Sequence, residues 1–286
     1  MTDGKTRTCG LIGNPVEHTL SPLIHNTLAE DFGQDLVYVP FKVEADQVEA
    51  AVKGAFALNL LGCNVTVPYK SEVIPYLEEL DPMAEKVGAV NTLVRGTTGF
   101  KGYNTDLPGL YRAMQSDGVQ IEGQRVLVLG AGGVARAASM LMADKGASQI
   151  LILNRTVARA EELAAQIRQA YPTCTVEAAG LQERKRFEEK KAYLCIQATK
   201  MGMYPEVDKT LIEDPSFYAS IHTGYDLIFN PADTRFMKLV REAGGRAFNG
   251  LKMLLYQGII AYELWQRVQV DEAQAERIYS LLQKQL

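Results

Sequence analysis

Short apolar runs alternate with stretches of helical spacing along the whole chain. In the N-terminal third, Thr8–Ile12, Leu36–Lys42 and Cys63–Val67 are rich in β-branched and aromatic residues and read as strands. Ala89–Val94 and Phe100–Asn104 flank Gly96-Thr-Thr-Gly99, a turn-rich connection that predicts a hairpin. Pro22–Phe32 and Asp46–Leu58 read as helices. Strands alternating with helices predict an α/β layer on a mostly parallel sheet.

A second α/β block follows Asp106. Leu107–Ser116 reads as a helix, Asp117-Gly118 as a turn, and Arg125–Leu129 as a continuous apolar strand. A strand without polar alternation is one buried on both faces. Gln149–Leu153, Tyr193–Gln197 and Tyr225–Phe229 repeat that pattern with helices between, and Pro231 follows the last of them. This is the pattern of a doubly wound sheet. From Gly250 to Leu286 two helices are expected. Leu251, Leu254, Leu255, Ile259 and Leu264 recur near helical spacing, as if to pack back on the first block. The division predicted is 1–106 plus 240–286 against 107–239. Glu183–Lys191 is a mixed charge run, read as a solvated helix face.

Composition narrows the class. A chain of 286 residues fits two domains, at about 150 residues each. With 47% apolar and 22% charged residues it is not collagen, coiled coil, disulfide scaffold or a disordered chain. No apolar run reaches the ~18–20 residues of a membrane helix, and the N-terminus has no apolar leader segment, so no membrane partner is expected. Thirty basic against 34 acidic residues leave a net charge of −4 and no basic block, so no nucleic-acid partner is expected either. Cys9, Cys63, Cys174 and Cys195 form no C-x-x-C and read as buried free thiols of a cytoplasmic protein. With only His18, His25 and His222, and no ligand cluster, no metal is expected.

Arg125–Leu129 runs into Gly130-Ala131-Gly132-Gly133-Val134-Ala135, a G-x-G-x-x-A between strand and helix. Gly130 permits the tight turn, Gly132 lets the backbone approach a pyrophosphate, and Ala135 allows close packing of helix on strand. Val134, Ala137, Ala138, Leu141 and Met142 form the expected apolar face of that helix. Its N-terminus offers free N–H groups and a positive dipole end to phosphates. The next strand ends at Asn154-Arg155-Thr156, with Arg159 one turn on. An NAD site usually carries a carboxylate here for the ribose hydroxyls. Without one, and with two guanidiniums able to bind a 2′-phosphate, the segment reads as NADP-binding. Thr156 also has an ordinary reading as a helix N-cap.

A hydride donor needs a partner that supplies or removes a proton at the substrate oxygen. Lys70 follows Asn64-Val-Thr-Val-Pro-Tyr69, where Pro68 stops a strand. Asp106 ends Lys101-Gly-Tyr-Asn-Thr-Asp106 at the boundary between the two blocks. Taken singly, each has an ordinary reading, as a surface lysine and a helix cap.

Together the motifs resemble the shikimate dehydrogenases and their quinate/shikimate relatives. Gly13-Asn-Pro-Val-Glu-His-Thr-Leu-Ser-Pro22 with His25-Asn26 looks like that family's N-terminal substrate loop, and Asn64–Lys70 like its lysine motif. Gly88-Ala-Val-Asn-Thr92, Gly102–Asp106, Gly130–Val134, Asn154–Arg159 and Gly250-Leu-Lys-Met-Leu-Leu-Tyr-Gln257 match further motifs, in order, over nearly the whole chain. The resemblance implies a substrate-binding catalytic domain from the two chain ends and a Rossmann-type NADP domain between them. It implies Lys70 as proton donor and acceptor, with Asp106 at the same hydroxyl. Thr19 and Ser21 would hold a carboxylate, and Thr66, Asn91 and Gln257 the ring hydroxyls. Phe229 takes a further substrate position. Gly130, Ala131, Gly132, Gly133 and Val134 would form the phosphate loop, Asn154, Arg155, Thr156 and Arg159 the NADP segment, and Leu227 and Gly250 the nicotinamide neighbours. The implied reaction is reversible reduction of 3-dehydroshikimate to shikimate by NADPH, in aromatic biosynthesis, with a homodimer held open.

Three positions depart from the family pattern. Thr19 stands where Ser is usual, Phe229 where Tyr is usual, and Gln197-Ala-Thr199 where Asn-Ala-Thr is usual. The first two bear on the choice between shikimate and quinate. A quinate/shikimate dehydrogenase using NAD and a non-catalytic NADP-binding regulator are the alternative readings. Asn154–Arg159 opposes the first, and the presence of both Lys70 and Asp106 opposes the second.

Overall fold

The computed structural model describes residues 2–187 and 189–286, which divide into two compact units. The first comprises 1–109 and 254–285. Its elements are β1 (Arg7–Gly13), α1 (Ser21–Asp31), β2 (Leu36–Lys42), α2 (Val48–Ala57), β3 (Gly62–Val65), β4 (Glu79–Leu80), α3 (Pro82–Val87), β5 (Thr92–Arg95), β6 (Phe100–Tyr103) and the start of α4 (Asp106–Ser116). The six-stranded sheet has the order β2-β1-β3-β5-β6-β4. β1 runs parallel to β2 and β3, and β4 parallel to β6; β5 alone is antiparallel to its neighbours β3 and β6, so the sheet is mostly parallel with one reversed strand. The antiparallel pair is the expected hairpin, closed by Gly96 N–H on Gly99 O (2.8 Å).

Two strand ends fall short of their sequence patterns, and both put functional side chains in place. β3 stops at Val65, and Tyr69 N–H then closes a turn on Thr66 O (3.0 Å) ahead of Lys70. Residues 89–91 do not begin β5. Ala89 N–H closes the end of α3, while Val90 N–H bonds Lys70 O (2.7 Å) and Asn91 N–H bonds Tyr103 O (3.0 Å). Helix α3 was missed although its punctuation is plain. Asp81 caps it through Met83 N–H, Pro82 opens it, and Gly88 closes it in the left-handed region at φ 71°.

The unit's core gathers Ile12, Val52, Cys63, Val65, Val73, Leu93 and Phe100. α9 (Leu251–Gln266) and α10 (Glu272–Gln283) supply the returning helices. Trp265 of α9 reaches Gly62 so closely that a Cβ there would lie 2.1 Å from its Nε1, which donates to Leu93 O (2.9 Å). At the outer edge of the sheet, the amide of Asn26 on α1 binds β2, accepting from Tyr38 N–H (2.8 Å) and donating to Tyr38 O (3.4 Å). Pro40 follows two residues on.

The second unit, 110–253, holds β7 (Arg125–Leu129), α5 (Gly133–Asp144), β8 (Gln149–Asn154), α6 (Val157–Ala170), β9 (Thr175–Gly180), β10 (Tyr193–Gln197), α7 (Pro215–Tyr218), β11 (Ile221–Asp226), α8 (Arg235–Glu242) and β12 (Arg246–Phe248). The chain returns to the first unit at Leu254 rather than near 240, because α8 and β12 complete this second sheet. All its ladders are parallel, in the order β12-β11-β10-β7-β8-β9. Counted along the chain this is the 3-2-1-4-5-6 order of the dinucleotide-binding fold, with its switch point between β7 and β10.

Three expectations need correction here. The strand expected at Tyr225–Phe229 lies four residues earlier, at Ile221–Asp226. Its Thr223 and Gly224 are paired on both sides, His222 falls at a register shift against β10, and the strand ends where Leu227 N–H bonds Gln197 O (3.0 Å). The charged run from Glu183 begins in a 3₁₀ helix, Leu181–Phe187, not an α-helical face. Glu183 there accepts from Gly180 N–H and Arg184 pairs with Asp214; Glu188 lies outside the described residues. Val134 is exposed, because the first turn of α5 lies beyond the sheet, and Ala135, Ala138, Leu141 and Met142 make the buried face.

Candidate active site

In the first unit, Lys70 Nζ donates to Asp106 Oδ2 at 2.7 Å. Both side chains are partly exposed, 31% and 19%, so the pair meets solvent and can meet a ligand. Asp106 is not the cap of α4 but its first residue. Asn104 Oδ1 accepts from the N–H groups of Asp106 (3.1 Å) and Leu107 (3.3 Å), which leaves the Asp106 carboxylate free to face Lys70. Its other oxygen, Oδ1, accepts from Asn91 Nδ2 (2.9 Å). Asn91 is buried and tightly held: its Oδ1 accepts from Thr105 N–H (2.7 Å), and its Nδ2 also reaches Thr105 Oγ1 (3.0 Å) and Gln257 Oε1 (3.5 Å). Gln257 Nε2 donates to Leu254 O within α9 (2.9 Å). Lys70, Asn91, Asp106 and Gln257 thus form one hydrogen-bonded group drawn from four separate motifs.

Thr19 and Ser21 form a second pair at the start of α1. The Thr19 hydroxyl donates to Ser21 Oγ (3.1 Å) and accepts Ser21 N–H (3.2 Å), and no side chain caps the helix. Two adjacent hydroxyls can both donate to a carboxylate. Thr66 packs against Gly13, where a Cβ would lie 2.3 Å from Thr66 Cγ2. Phe229 belongs to the second unit.

The second unit carries the nucleotide loop at its switch point. Gly130 has φ 113°, and a Cβ there would press on Thr199 Cγ2 (2.9 Å) and Ala198 O (3.1 Å), so only glycine fits. Gly132 and Gly133 have no atom within 4 Å of where a Cβ would stand, and Gly132 begins α5 without a side-chain cap. An open glycine cradle with free helix N–H groups fits a pyrophosphate. Ala131 lies between Gly130 and Gly132. At the end of β8, Asn154 Nδ2 donates to Thr156 O (2.9 Å). Thr156 stands at the N-cap of α6, yet its side chain makes no capping bond. Arg155 and Arg159 are exposed, and among the described residues neither enters an ion pair. Leu227 and Gly250 touch: a Cβ at Gly250 would lie 2.4 Å from Leu227 O.

Sequence reading missed the supports of both groups. Asn104 and Thr105, next to Asp106, could have been found from their capping types. Gln197, Asp226 and Thr234 could not, since they meet only in the fold. Asp226 Oδ2 accepts from Thr234 Oγ1 (2.6 Å), and its Oδ1 accepts from Ile228 N–H (3.0 Å) and Gln197 Nε2 (3.4 Å). Burial pushes its carboxyl up to about 7 against these three donors. Gln197 Oε1 in turn accepts from Thr199 N–H and Oγ1 (both 2.7 Å), holding Thr199 beside Gly130.

A parallel sheet of this order with a glycine cradle at its switch point serves hydride chemistry on a bound nucleotide, and a lysine–carboxylate pair serves the accompanying proton. The molecule is of the dinucleotide-dependent oxidoreductase class. Residues 11–93 match the profile of the shikimate dehydrogenase substrate binding domain, and residues 112–184 that of shikimate / quinate 5-dehydrogenase. The chain belongs to the shikimate dehydrogenase family. A shikimate dehydrogenase (NADP(+)) from Moorella thermoacetica is 40% identical over 274 residues, 96% of this chain and 92% of the relative. Shikimate 5-dehydrogenase from Listeria monocytogenes, solved with shikimate and NAD, has a TM-score of 0.90 at 32% identity, covering 98% of this chain and 97% of that one. The shikimate 5-dehydrogenase of Thermus thermophilus, solved with NADP(H) and shikimate, has a TM-score of 0.85 at 28% identity, covering 96% and 99%.

Proposed function

We propose that this chain is an NADP-dependent shikimate dehydrogenase, reversibly reducing 3-dehydroshikimate to shikimate. The observation that carries the reading is Lys70 on Asp106 at 2.7 Å, with Asn91 on the second carboxylate oxygen. When bound, NADPH supplies the hydride. Lys70 gives its proton to the oxygen that becomes the alcohol, and Asp106 hydrogen-bonds at the same oxygen. Oxidation of the alcohol by NADP releases one proton overall, so alkaline pH favours that direction. Thr19 and Ser21 hold the substrate carboxylate with neutral hydroxyls. Thr66, Asn91 and Gln257 orient the ring, and Phe229 contributes an apolar face where a Tyr would add a hydroxyl.

Gly130, Ala131, Gly132, Gly133 and Val134 would hold the pyrophosphate. Asn154, Arg155, Thr156 and Arg159 would hold the 2′-phosphate, and Leu227 and Gly250 the nicotinamide side. The free Thr156 hydroxyl and the two unpaired guanidiniums support this assignment. The four buried free cysteines support a reducing, cytoplasmic setting, and none of the described helices is long and apolar enough to cross a membrane. A homodimer is the assembly to test by light scattering.

The deciding experiment follows NADP reduction at 340 nm, about the reduced nicotinamide band, with shikimate as substrate, beside NAD and quinate. Turnover with NADP and shikimate above the other pairs supports the reading. Preference for NAD and quinate would replace it with the quinate/shikimate alternative, and no turnover with any pair would leave the regulator.

A further inference from the structure

His25 lies on α1, fully buried, and takes no part in the chemistry above. Its ring stacks on Tyr38 (centroids 4.2 Å apart, 16° between planes) and is flanked by Trp265 at 5.0 Å and Tyr262 at 6.3 Å. Its Nε2 faces Asn64 Oδ1 at 3.1 Å. Asn64, at 4% exposure, is the hub of the buried polar core of this unit. Its Nδ2 reaches the main-chain carbonyl of Asn91 (3.2 Å) and Thr92 Oγ1 (3.1 Å), and its Oδ1 accepts from Tyr38 OH (2.8 Å).

The proton positions in this network follow by elimination. A backbone carbonyl only accepts, so the Asn64 atom facing Asn91 O is the nitrogen. The opposite atom is therefore oxygen, and His25 must carry its proton on Nε2 to bond it. His25 Nδ1 is then the bare nitrogen, and it is buried without a partner. A second proton there would have no acceptor, and burial holds the imidazole down to about 3. Because Thr92 Oγ1 accepts from Asn64, its own hydrogen points onward to Thr105 Oγ1 (3.0 Å) or Asn91 Oδ1 (3.3 Å). Asn91 then presents its NH₂ to Asp106, and Asp106 receives Lys70.

We propose that His25, by donating from Nε2 to Asn64, is a positioning residue that braces the network ending at Asn91, Asp106 and Lys70. The inference rests on the function proposed above. Without the Nε2 donor, Asn64 Oδ1 keeps only the Tyr38 hydroxyl, and the amide that bonds the Asn91 carbonyl and Thr92 Oγ1 is held less firmly. The Asn91 side chain, whose amide is oriented by Thr105 N–H, would then shift with its backbone relative to Asp106. His25 also lies against α9 next to Gln257: a Cβ at Gly258 would come within 3.3 Å of Ile24 and 3.7 Å of His25 Nε2.

The test pairs H25F, which keeps a flat ring but removes the donor, with H25Q, which restores an N–H donor on a flexible chain. Wild type must first turn over shikimate with NADP; if it does not, the functional reading fails rather than this one. With active wild type, H25F should lose about ten- to a hundredfold in kcat, in line with a misplaced catalytic group. The NADP dissociation constant should stay within about twofold, and H25Q should recover most of kcat. Full activity in H25F, or an H25Q no better than H25F, overturns the proposal. Should neither variant fold, nitrogen-15 NMR of wild type decides, with the resonances assigned through substitutions at His18 and His222. A His25 ring protonated only on Nε2 and unchanged from about pH 5 to 9 upholds it. The other tautomer, or titration in that range, overturns it.

Discussion

Replacing Gly250 by alanine tests how closely the end of the parallel sheet is fitted. The added Cβ would lie 2.4 Å from Leu227 O and 2.8 Å from Leu227 C. An ordinary carbon–oxygen contact is about 3.3 Å or more, so roughly an ångström must be found. Both opposing atoms are backbone, so no side chain can rotate away. Either Leu227–Ile228 shifts or the bond from Gly250 N–H to Ile228 O (2.9 Å) opens. Overpacking costs ~1–3 kcal/mol and the lost bond ~1 kcal/mol, together ~2–4 kcal/mol. At ~2–4 °C per kcal/mol this lowers Tm by roughly 4–16 °C. If Leu227 stands beside the nicotinamide, a shift of about 1 Å also lowers kcat by about a hundredfold. The assay is thermal unfolding by circular dichroism beside steady-state kinetics with NADP and shikimate. The control is Gly54→Ala on α2, where no atom lies within 4 Å and alanine favours the helix. A Gly250→Ala protein with Tm within about 1 °C and kcat within about twofold of wild type would refute the packing argument.

Further outcomes can be stated more briefly. Lys70→Ala should lower kcat by ~10²–10⁴-fold with NADP binding unchanged in a fluorescence titration; near-normal turnover would remove Lys70 from the chemistry. Arg155→Ala should weaken NADP about tenfold or more and leave NAD nearly alone, since the lost bonds go to a phosphate that only NADP has; equal losses would make Arg155 structural. The two units should respond to acid in opposite senses. His25, held at about 3 against an ordinary 6.5, makes stability fall as pH drops from about 6.5 to 3, whereas Asp226, raised from 3.8 to about 7, contributes stability below 3.8 that is lost as pH rises to about 7. Urea midpoints across pH for His25→Phe and Asp226→Asn should each lose one of these slopes, of at most about 1.4 kcal/mol per pH unit, and unchanged slopes would refute the assignments. Thr19→Ser should raise quinate kcat/KM relative to shikimate by relieving a methyl at the carboxylate; a constant ratio would show that Thr19 does not discriminate.

What was legible in the sequence was what local physics decides. Arg125–Leu129 and Tyr193–Gln197 were found to the residue, because a strand between two neighbours in a parallel sheet must be apolar on both faces. The Gly130 turn was visible because only glycine tolerates its φ beside Thr199. β11 was misplaced because its polar Thr223 and Asp226 are satisfied inside the fold, so polarity marked the wrong boundary. β9 and β12 escaped notice as edge strands, the first half-buried and the second three residues long. The residues Lys70, Asn91 and Asp106 were nameable from their motifs, but the Asn64 network beneath them joins residues 26 to 39 positions apart, which no local pattern encodes.

The rim of the first sheet has a consequence for how this chain behaves when crowded. An edge strand normally presents unpaired N–H and C=O groups that template another strand, the route to aggregation and to dimers that continue a sheet. Along β2 that template is missing. Leu36 N–H is bonded to Gln34 O, the outward groups of Tyr38 are held by Asn26, and Pro40 has no N–H at all. A second copy that meets the finished protein at β2 must therefore associate through side chains rather than by adding a strand to this edge.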